Sequence, residues 1–306
     1  MRLNMMTDNV LHKQLNTETN IIYYPNNSLF DQILYLLDNN YFVCADTPSS
    51  SENCRCLPEE YIDLYQYDIC CSNEITSYKQ HTNLIYGMHL SNLLFEHHYR
   101  SASLKKEDVY ILNQSLSNTK KVFFNPFTME SWNLSNSVTV NYGVPTDIFD
   151  VAKDENDVKD VLILASNNPL RGQLYDYVTQ NLNLQADIIE TFGFTKIQDI
   201  SNLFKKYKIF INIKNTTIDS LCAASTGMQV LALSQKNPKD ERLNNVPNIQ
   251  THMDINTLIQ SIDGLCKNFV INKNANEYIK NNYNFDSFNN EMQNILDTVK
   301  REAFII

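Results

Sequence analysis

Short apolar runs alternate with longer amphipathic stretches along this chain, and this alternation constrains its fold more than any other feature. Residues 161–165 form a continuous apolar run, the polar turn 166–169 follows, and a helical pattern extends over residues 170–182. Continuous apolar runs are typical of strands buried on both faces, which occur in parallel sheets covered by helices. The pattern therefore predicts a strand, a loop and a helix in succession.

The alternation continues through both halves of the chain. In the second half it predicts helices at residues 199–207 and 219–225, and strands at 186–191, 209–213 and 230–233. In the first half the strand candidates are residues 20–24, 41–44, 67–70, 83–86, 121–124 and 138–140.

This organisation predicts an α/β fold of two Rossmann-like domains facing a cleft. The segment 145–160 is acidic and lacks a sustained apolar pattern, so we expect the linker there. The expected domains are residues 1–150 and 151–306, with a helix near residues 286–301 at the end of the second.

The charge balance argues against a general nucleic-acid-binding protein. The chain has 25 Lys and Arg against 35 Asp and Glu, a formal charge of −10, whereas binding to phosphates needs a cationic face. Only the pairs Lys105 with Lys106 and Lys120 with Lys121 could form a basic groove in the first half.

The sequence also lacks an apolar run of bilayer length and an apolar leader, so the expected location is the cytoplasm, or the host cytoplasm if the protein is viral.

The cysteines do not form a disulfide framework or a known zinc motif. The chain has seven, and Cys54, Cys56, Cys70 and Cys71 follow one another as Cys-x-Cys and Cys-Cys, without the spacing of paired zinc knuckles. We expect reduced thiols that titrate freely and hold no zinc.

Two junctions between a strand and a helix are candidate phosphate-binding sites. Residues 166–172 leave a predicted strand and include Arg171 and Gly172, an arrangement that suits a diphosphate at a helix start. Residues 214–220 form the second junction, at the same edge of the sheet. The alternative interpretations are an exposed arginine at a helix start and, for Thr217, a simple N-cap.

Other motifs narrow the choice of chemistry. His89 follows the strand candidate 83–86, at a plausible mouth of the cleft, although a lone histidine is more often structural. The sequence has no Gly-x-Ser-x-Gly elbow, Walker loop, Gly-x-Gly-x-x-Gly or His-Glu-x-x-His motif. Hydrolase, P-loop and dinucleotide-binding functions therefore lose support.

The segment 138–149 resembles the one that closes the N-terminal domain in GT-B glycosyltransferases of the large retaining family four, where a strand runs into Asn-Gly-Val-Asp and ends in Phe. Arg171-Gly172 is similar to the Lys-Gly element of that family, and Gly193 precedes a helix in the same order. Residues 219–230 resemble the Glu-Ala-Met-Ala-Cys-Gly-x-Pro-Val block, and residues 278–286 resemble the start of the final helix. The resemblance covers roughly residues 138–297.

The sequence departs from the family at the donor site. Where the family has two donor-binding glutamates, this chain has Lys214 and Cys222, although Asp219 lies one helical turn from Cys222. The glycine-rich loop of the first domain is also missing, since the first glycine is Gly87.

The resemblance implies a metal-independent, retaining hexosyl- or pentosyltransferase that uses a nucleotide-sugar as co-substrate and no cofactor. Arg171 would neutralise the departing diphosphate, and His89 would contact the acceptor or the transferred sugar. The implied donor-binding residues are Asn168, Arg171, Gly172, Gly193, Thr216, Thr217, Asp219, Thr226 and Gly227. Saccharide acceptors rank above modified DNA because of the negative charge. The alternatives are a non-catalytic GT-B-like interaction protein and a nucleotide-binding module without transfer activity.

Overall fold

A computed structural model gives the architecture of much of the chain. The residues it describes are 19–24, 28–45, 54–57, 68–72, 91–96, 110, 114, 117, 119–126, 129–130, 133–151, 158–165, 169–192, 195–214, 216–233 and 243–303.

The first sheet has seven parallel strands in the order β3-β2-β1-β4-β5-β6-β7. Their bounds are β1 Thr19–Tyr24, β2 Asn40–Ala45, β3 Cys54–Leu57, β4 Ile69–Ser72, β5 Ser91–Glu96, β6 Thr119–Phe123 and β7 Ser137–Thr139. Helix α1, Leu29–Leu34, follows β1. The strand predicted at 83–86 lies outside the described residues, while β3 and β5 were not predicted.

The second sheet has five parallel strands in the order β12-β11-β10-β8-β9. Its strands are β8 Lys159–Leu164, β9 Ala186–Ile189, β10 Tyr207–Asn212, β11 Gln229–Leu233 and β12 Ile249–His252. Its helices are α2 Leu170–Asp176, which continues as a π-helical turn Tyr177–Asn181, α3 Ile197–Phe204, α4 Thr217–Ser225 and α5 Ile255–Lys267.

Helices cover both faces of the second sheet. Val161, Ile163 and Ile211 pack in one cluster with Leu174 of α2 and Leu258 of α5. The intervening residues Leu162, Leu164 and Phe210 belong to a second cluster with Phe204 of α3 and Ala223 of α4. Side chains of a strand alternate between faces, so this division defines a doubly wound sheet. The predicted α/β class is confirmed.

Two segments connect the first sheet to the second. The segment after β7 carries Val144, whose backbone pairs in a parallel bridge with Asn284, between α6, Lys273–Asn282, and α7, Phe285–Ala303. The amide of Val144 donates to the carbonyl of Tyr283 at 2.9 Å. We call these two connecting segments the crossings, and they lie side by side.

The terminal helix α7 packs on the first sheet, although the sequence-based division assigns it to the second domain. It contacts β4 and β5, the amide of Asn289 donates to Asp38 at 2.7 Å, and Lys300 forms an ion pair with Asp68 at 3.2 Å. We call the first sheet with α1 and α7 the first lobe, and the second sheet with α2 to α6 the second lobe. The boundary at residue 150 stays a prediction.

The lobes touch through helix α1. All six residues of α1 are buried, and the helix contacts α3 and α4 of the second lobe. Leu29 and Phe30 belong to the same buried cluster as Ile218 and Leu221. The start of α4 is therefore next to the first lobe.

Candidate functional site

The carboxyl ends of β8 and β10 form the candidate site. These strands are neighbours in the sheet, yet α2 leaves β8 on one face and α4 leaves β10 on the other. In open α/β sheets such a point of divergence opens a crevice at the carboxyl ends of the strands, where ligands bind.

Arg171 lies at this edge, as the second residue of α2. Its guanidinium is ion-paired with Glu190, which follows β9, and their side chains are 37% and 61% exposed. Exposed ion pairs contribute only about 0–1 kcal/mol to stability, so a phosphate can compete with Glu190 for the guanidinium. Among the described residues, a Cβ built on the adjacent Gly172 meets no atom within 4 Å.

Asn212 shapes the loop between β10 and α4. It is fully buried, and its amide nitrogen donates to the carbonyl of Thr216 at 2.7 Å and to the hydroxyl of Ser220 at 2.9 Å. Its carbonyl oxygen accepts from the amide of Lys214 at 3.1 Å. One side chain thus ties the end of β10 to the first turn of α4. The sequence analysis missed Asn212, although a lone polar residue within an apolar run was a signal.

We expect Asn212→Ala to lower the free energy of unfolding by about 1–2 kcal/mol, because it leaves buried partners without hydrogen bonds. Urea unfolding monitored by circular dichroism measures the loss. The control is Asn282→Ala, which removes an exposed amide bonded only to the carbonyl of Tyr278 and should cost less than about 0.5 kcal/mol. Equal losses for the two variants would contradict the role given to Asn212.

The start of α4 has no side-chain cap. Thr216 is the N-cap residue, but its hydroxyl accepts nothing from the helix amides and instead donates to the carboxyl of Asp219. Uncapped amides and the helix dipole give a helix start affinity for anions. Thr216, Thr217 and Asp219 are 5%, 8% and 3% exposed, so α1 and its surroundings cover this start.

Asp219 is the most perturbed acid at this edge. Its pKa is raised to about 6, mainly by burial and also by Asp31 of α1, while the hydroxyl of Thr216 and the charge of Lys214 oppose the shift. Its Oδ1 is buried and has no hydrogen-bond partner among the described residues. Asp219 therefore carries a proton more readily than an ordinary aspartate.

His252 is a second chemically distinct group at the same edge, which the sequence analysis also missed. It is the last residue of β12, burial lowers its pKa, and its Nε2 is buried without a hydrogen-bond partner.

Comparisons with known proteins were made by sequence and by structure. No protein-family model and no curated protein matches the chain by sequence. Solved structures match its fold, among them the following three. Sucrose-phosphate synthase from Thermosynechococcus elongatus has a TM-score of 0.62 at 11% identity, covering 92% of this chain and 99% of that one. HepE from Anabaena, solved in complex with UDP, has a TM-score of 0.60 at 9% identity, covering 92% and 100%.

AviGT4, a glycosyltransferase of avilamycin A biosynthesis, has a TM-score of 0.55 at 9% identity, covering 92% of this chain and 98% of that one. Each of the three matches covers 92% of this chain. The chain has the GT-B fold. The fold suggested by the resemblance at residues 138–149 is thereby confirmed.

The GT-B architecture does not bring all the expected donor residues together. Thr226 is the C-cap of α4, roughly 13 Å along the helix from Thr217, and it lines a groove with Val158 and Tyr207, beside the amino ends of β8 and β10. Gly227 has a φ of 91° and its carbonyl accepts from Asn272 at 3.0 Å. Both residues end a helix at the sheet edge opposite Arg171.

Three expected site residues lie outside the described part of the chain, namely His89, Asn168 and Gly193. Of the two positions where the family has glutamates, Cys222 is fully buried and burial raises the pKa of its thiol. The GT-B scaffold is therefore present with a different set of side chains around α4.

The cysteines differ from the expectation in one respect. Cys54, Cys70 and Cys71 are buried. Burial raises the pKa of Cys70 to about 12 and that of Cys71 well above its usual range, so the expected free titration is wrong for these two thiols. β3 and β4 are separated by β2 and β1, which places Cys54 roughly 14 Å from Cys70. Among the described residues no cluster of three or more His, Cys, Asp or Glu side chains could hold a metal ion.

No helix within the described ranges combines the length and apolar character needed to span a bilayer.

Proposed function

We propose that this protein is a glycosyltransferase that uses a nucleotide-sugar as donor, with the donor diphosphate held between Arg171 and the start of α4. The observation that carries the proposal is the uncapped start of α4 at the same sheet edge as Arg171. The fold likeness to HepE, solved with UDP, and to the glycosyltransferase AviGT4 supports it.

The chemistry follows from charge development in the reaction. When the glycosidic bond breaks, the departing nucleoside diphosphate gains negative charge. A guanidinium on one side and helix amides on the other stabilise this charge more than they stabilise the bound donor. Arg171 is the catalytic residue in this proposal, and Thr216, Thr217 and Gly172 line the diphosphate site.

The finer features rest on the family resemblance. We propose hexosyl or pentosyl transfer with retention of configuration and without a bound metal or cofactor. His89 stays the proposed contact of the acceptor or transferred sugar. A protein of this kind would act in the cytoplasm.

A saccharide is our proposed acceptor, ahead of modified DNA. The formal charge of −10 disfavours contacts with a phosphate backbone. Lys121, one of the four lysines that a basic groove would need, is fully buried and donates to the carbonyl of Ser135 at 2.8 Å. The ammonium group of Lys121 is therefore not available to contact DNA at the surface.

A second candidate function is a GT-B-like protein that binds nucleotides or partners without transfer. The observations that favour it are the buried Cys222 in place of a donor-binding glutamate and the covered start of α4. This candidate keeps the diphosphate site but lacks catalytic power.

A nucleotide titration followed by a turnover assay tests both candidates. Thermal shifts with UDP, ADP, GDP, CDP and dTDP measure binding, because a ligand of the native state raises the unfolding midpoint. A transferase should bind at least one of them and hydrolyse or transfer the corresponding sugar. Binding without turnover favours the second candidate, and binding of none contradicts a diphosphate site.

Glu190 should compete with the donor for Arg171. We expect Glu190→Gln to tighten nucleoside diphosphate binding by about two- to fivefold. In the wild type the diphosphate must displace Glu190 from the guanidinium, and an exposed ion pair of this kind contributes less than about 1 kcal/mol. Calorimetric titration of both proteins measures the ratio. The control Asp263→Asn breaks a comparable exposed pair with Lys267 on α5 and should leave the affinity unchanged. A weaker affinity in Glu190→Gln would contradict the competition.

A further inference from the structure

Two helix starts from different lobes meet where the lobes touch. Helix α1 follows its N-cap Ser28 and carries Asp31 in its first turn, and α4 follows Thr216 and carries Asp219 in its first turn. The helices are in contact, and Asp31 and Asp219 interact electrostatically. Asp31 is 1% exposed and Asp219 is 3% exposed. Two acidic side chains are therefore enclosed at the interface between the lobes.

The two carboxyl groups are unequally satisfied. Asp31 accepts from the hydroxyl of Tyr23 at 2.5 Å, and from the amide and hydroxyl of Ser28 at 2.7 and 3.1 Å. Asp219 accepts from the hydroxyl of Thr216 on Oδ2, whereas no group in the described part of the chain donates to its buried Oδ1. Hydrogen bonds stabilise the anion of Asp31, so Asp219 is the group of the pair that takes up a proton.

The other ionisable groups around Asp219 do not cancel the effect of burial on its pKa. Lys214, in the loop before α4, lowers the pKa of Asp219 but less than burial raises it. Cys222, one turn along α4, is neutral because its own pKa is raised by burial. Helices α3 and α6 also pack on α4, and within the described residues neither adds a charge that interacts with Asp219.

We propose that Asp31 and Asp219 form a proton-sensitive latch between the lobes, which holds α1 against α4 when Asp219 is neutral and weakens that contact when Asp219 ionises. Two buried carboxylates repel each other in a medium of low polarity, and separating the lobes relieves both the repulsion and the loss of hydration. Because the pKa of Asp219 is raised from 3.8 to about 6, the contact weakens as the pH rises through this range and is weaker at pH 8 than at pH 5.

Apolar packing also contributes to the contact between α1 and α4. Leu29 and Phe30 of α1 are buried in one cluster with Ile218 and Leu221 of α4, and this packing favours the closed arrangement at any pH. The latch also covers the start of α4, so it controls access to the donor diphosphate site. That last step rests on the proposed function, whereas the latch itself does not.

Hydrogen exchange of the ligand-free protein at pH 5 and pH 8 tests the latch. After correction for intrinsic exchange rates, we expect the amides of α1 and of the first turns of α4 to lose about tenfold of their protection at pH 8. The whole shift of Asp219 from a pKa of 3.8 to about 6 corresponds to about a hundredfold, of which roughly tenfold falls between pH 5 and pH 8. In Asp219→Asn the protection should be the same at both pH values.

Two further variants complete the test. The control Asp263→Asn, an exposed acid on α5, should keep the pH dependence of the wild type. Asp31→Asn removes a charge that helps to raise the pKa of Asp219, so the loss of protection between pH 5 and pH 8 should be smaller than in the wild type. Equal protection of the wild type at pH 5 and pH 8 would overturn the latch whether or not the variants fold. Pronounced pH dependence in Asp219→Asn would overturn it as well. Because no nucleotide is present, none of these outcomes depends on the proposed transferase.

Discussion

Gly143→Val is expected to lower the free energy of unfolding by about 4 kcal/mol, above the usual range for overpacking a core. Gly143 lies in the crossing between the lobes, against Phe288 of α7. A Cβ at position 143 would contact the Cβ of Phe288 and lie 2.6 Å from its Cγ and 2.7 Å from its Cδ1. Phe288 is 2% exposed and cannot move aside without displacing the terminal helix.

Equilibrium unfolding in guanidinium chloride measures this effect, and Gly264→Ala is the matched control. A Cβ at Gly264 meets nothing within 4 Å, and the residue lies inside α5, so alanine there should stabilise the protein by about 0.5–1 kcal/mol. A Gly143→Val protein as stable as the wild type would contradict the close packing of the crossing on α7.

Arg171→Ala should weaken binding of the nucleoside diphosphate by about 10- to 100-fold, because a charged hydrogen bond contributes roughly 1.5–3 kcal/mol. Its effect on folding should be small, since the exposed pair with Glu190 contributes little. Arg171→Lys should recover part of the affinity, because a point charge replaces a planar fork. Calorimetric titration of the three proteins measures the ratios.

A control for Arg171 is Lys206→Ala, an exposed cation directly before β10 at the sheet edge opposite Arg171, whose loss should leave affinity unchanged. Equal affinities for the wild type and both Arg171 variants would remove Arg171 from the diphosphate site. The catalytic role proposed for it would then fail.

Local patterns in the sequence were sufficient to predict most of the second sheet. The apolar runs that predicted β8, β10 and β11 coincide with those strands to within about a residue or two. These strands are covered by helices on both faces, and such strands have the plainest apolar signal. The final helix was predicted near residues 286–301, and α7 spans Phe285–Ala303.

The first sheet was harder to predict because its pairing is set by distant residues. β3 contains Cys54 and Arg55 within four residues and offers no run of apolar side chains. Its place beside β2 depends on register with residues 42–45, which a local pattern does not encode. The packing of α7 on β4 and β5 is likewise a contact between distant parts of the chain.

The candidate site was predicted in part. The two loops at the carboxyl edge follow from strand order, so the position of Arg171 and Thr217 at this edge was predicted, while their part in binding stays a prediction. Thr226 and Gly227 were included because a motif is contiguous in sequence, but α4 separates them from the site by its own length. The meeting of Asp31 with Asp219 depends on how the lobes pack, which no sequence pattern specifies.

The central claim is that a nucleoside diphosphate binds at the start of α4 beside Arg171. Hydrogen exchange of the wild-type protein with and without saturating UDP tests it most directly, with the four other nucleoside diphosphates measured in parallel. The account predicts that a bound nucleotide slows exchange at residues 170–173 and 216–220, with no change at residues 226–230 at the opposite edge. Binding that protects residues 226–230, or the first sheet alone, while leaving 216–220 unchanged would contradict it.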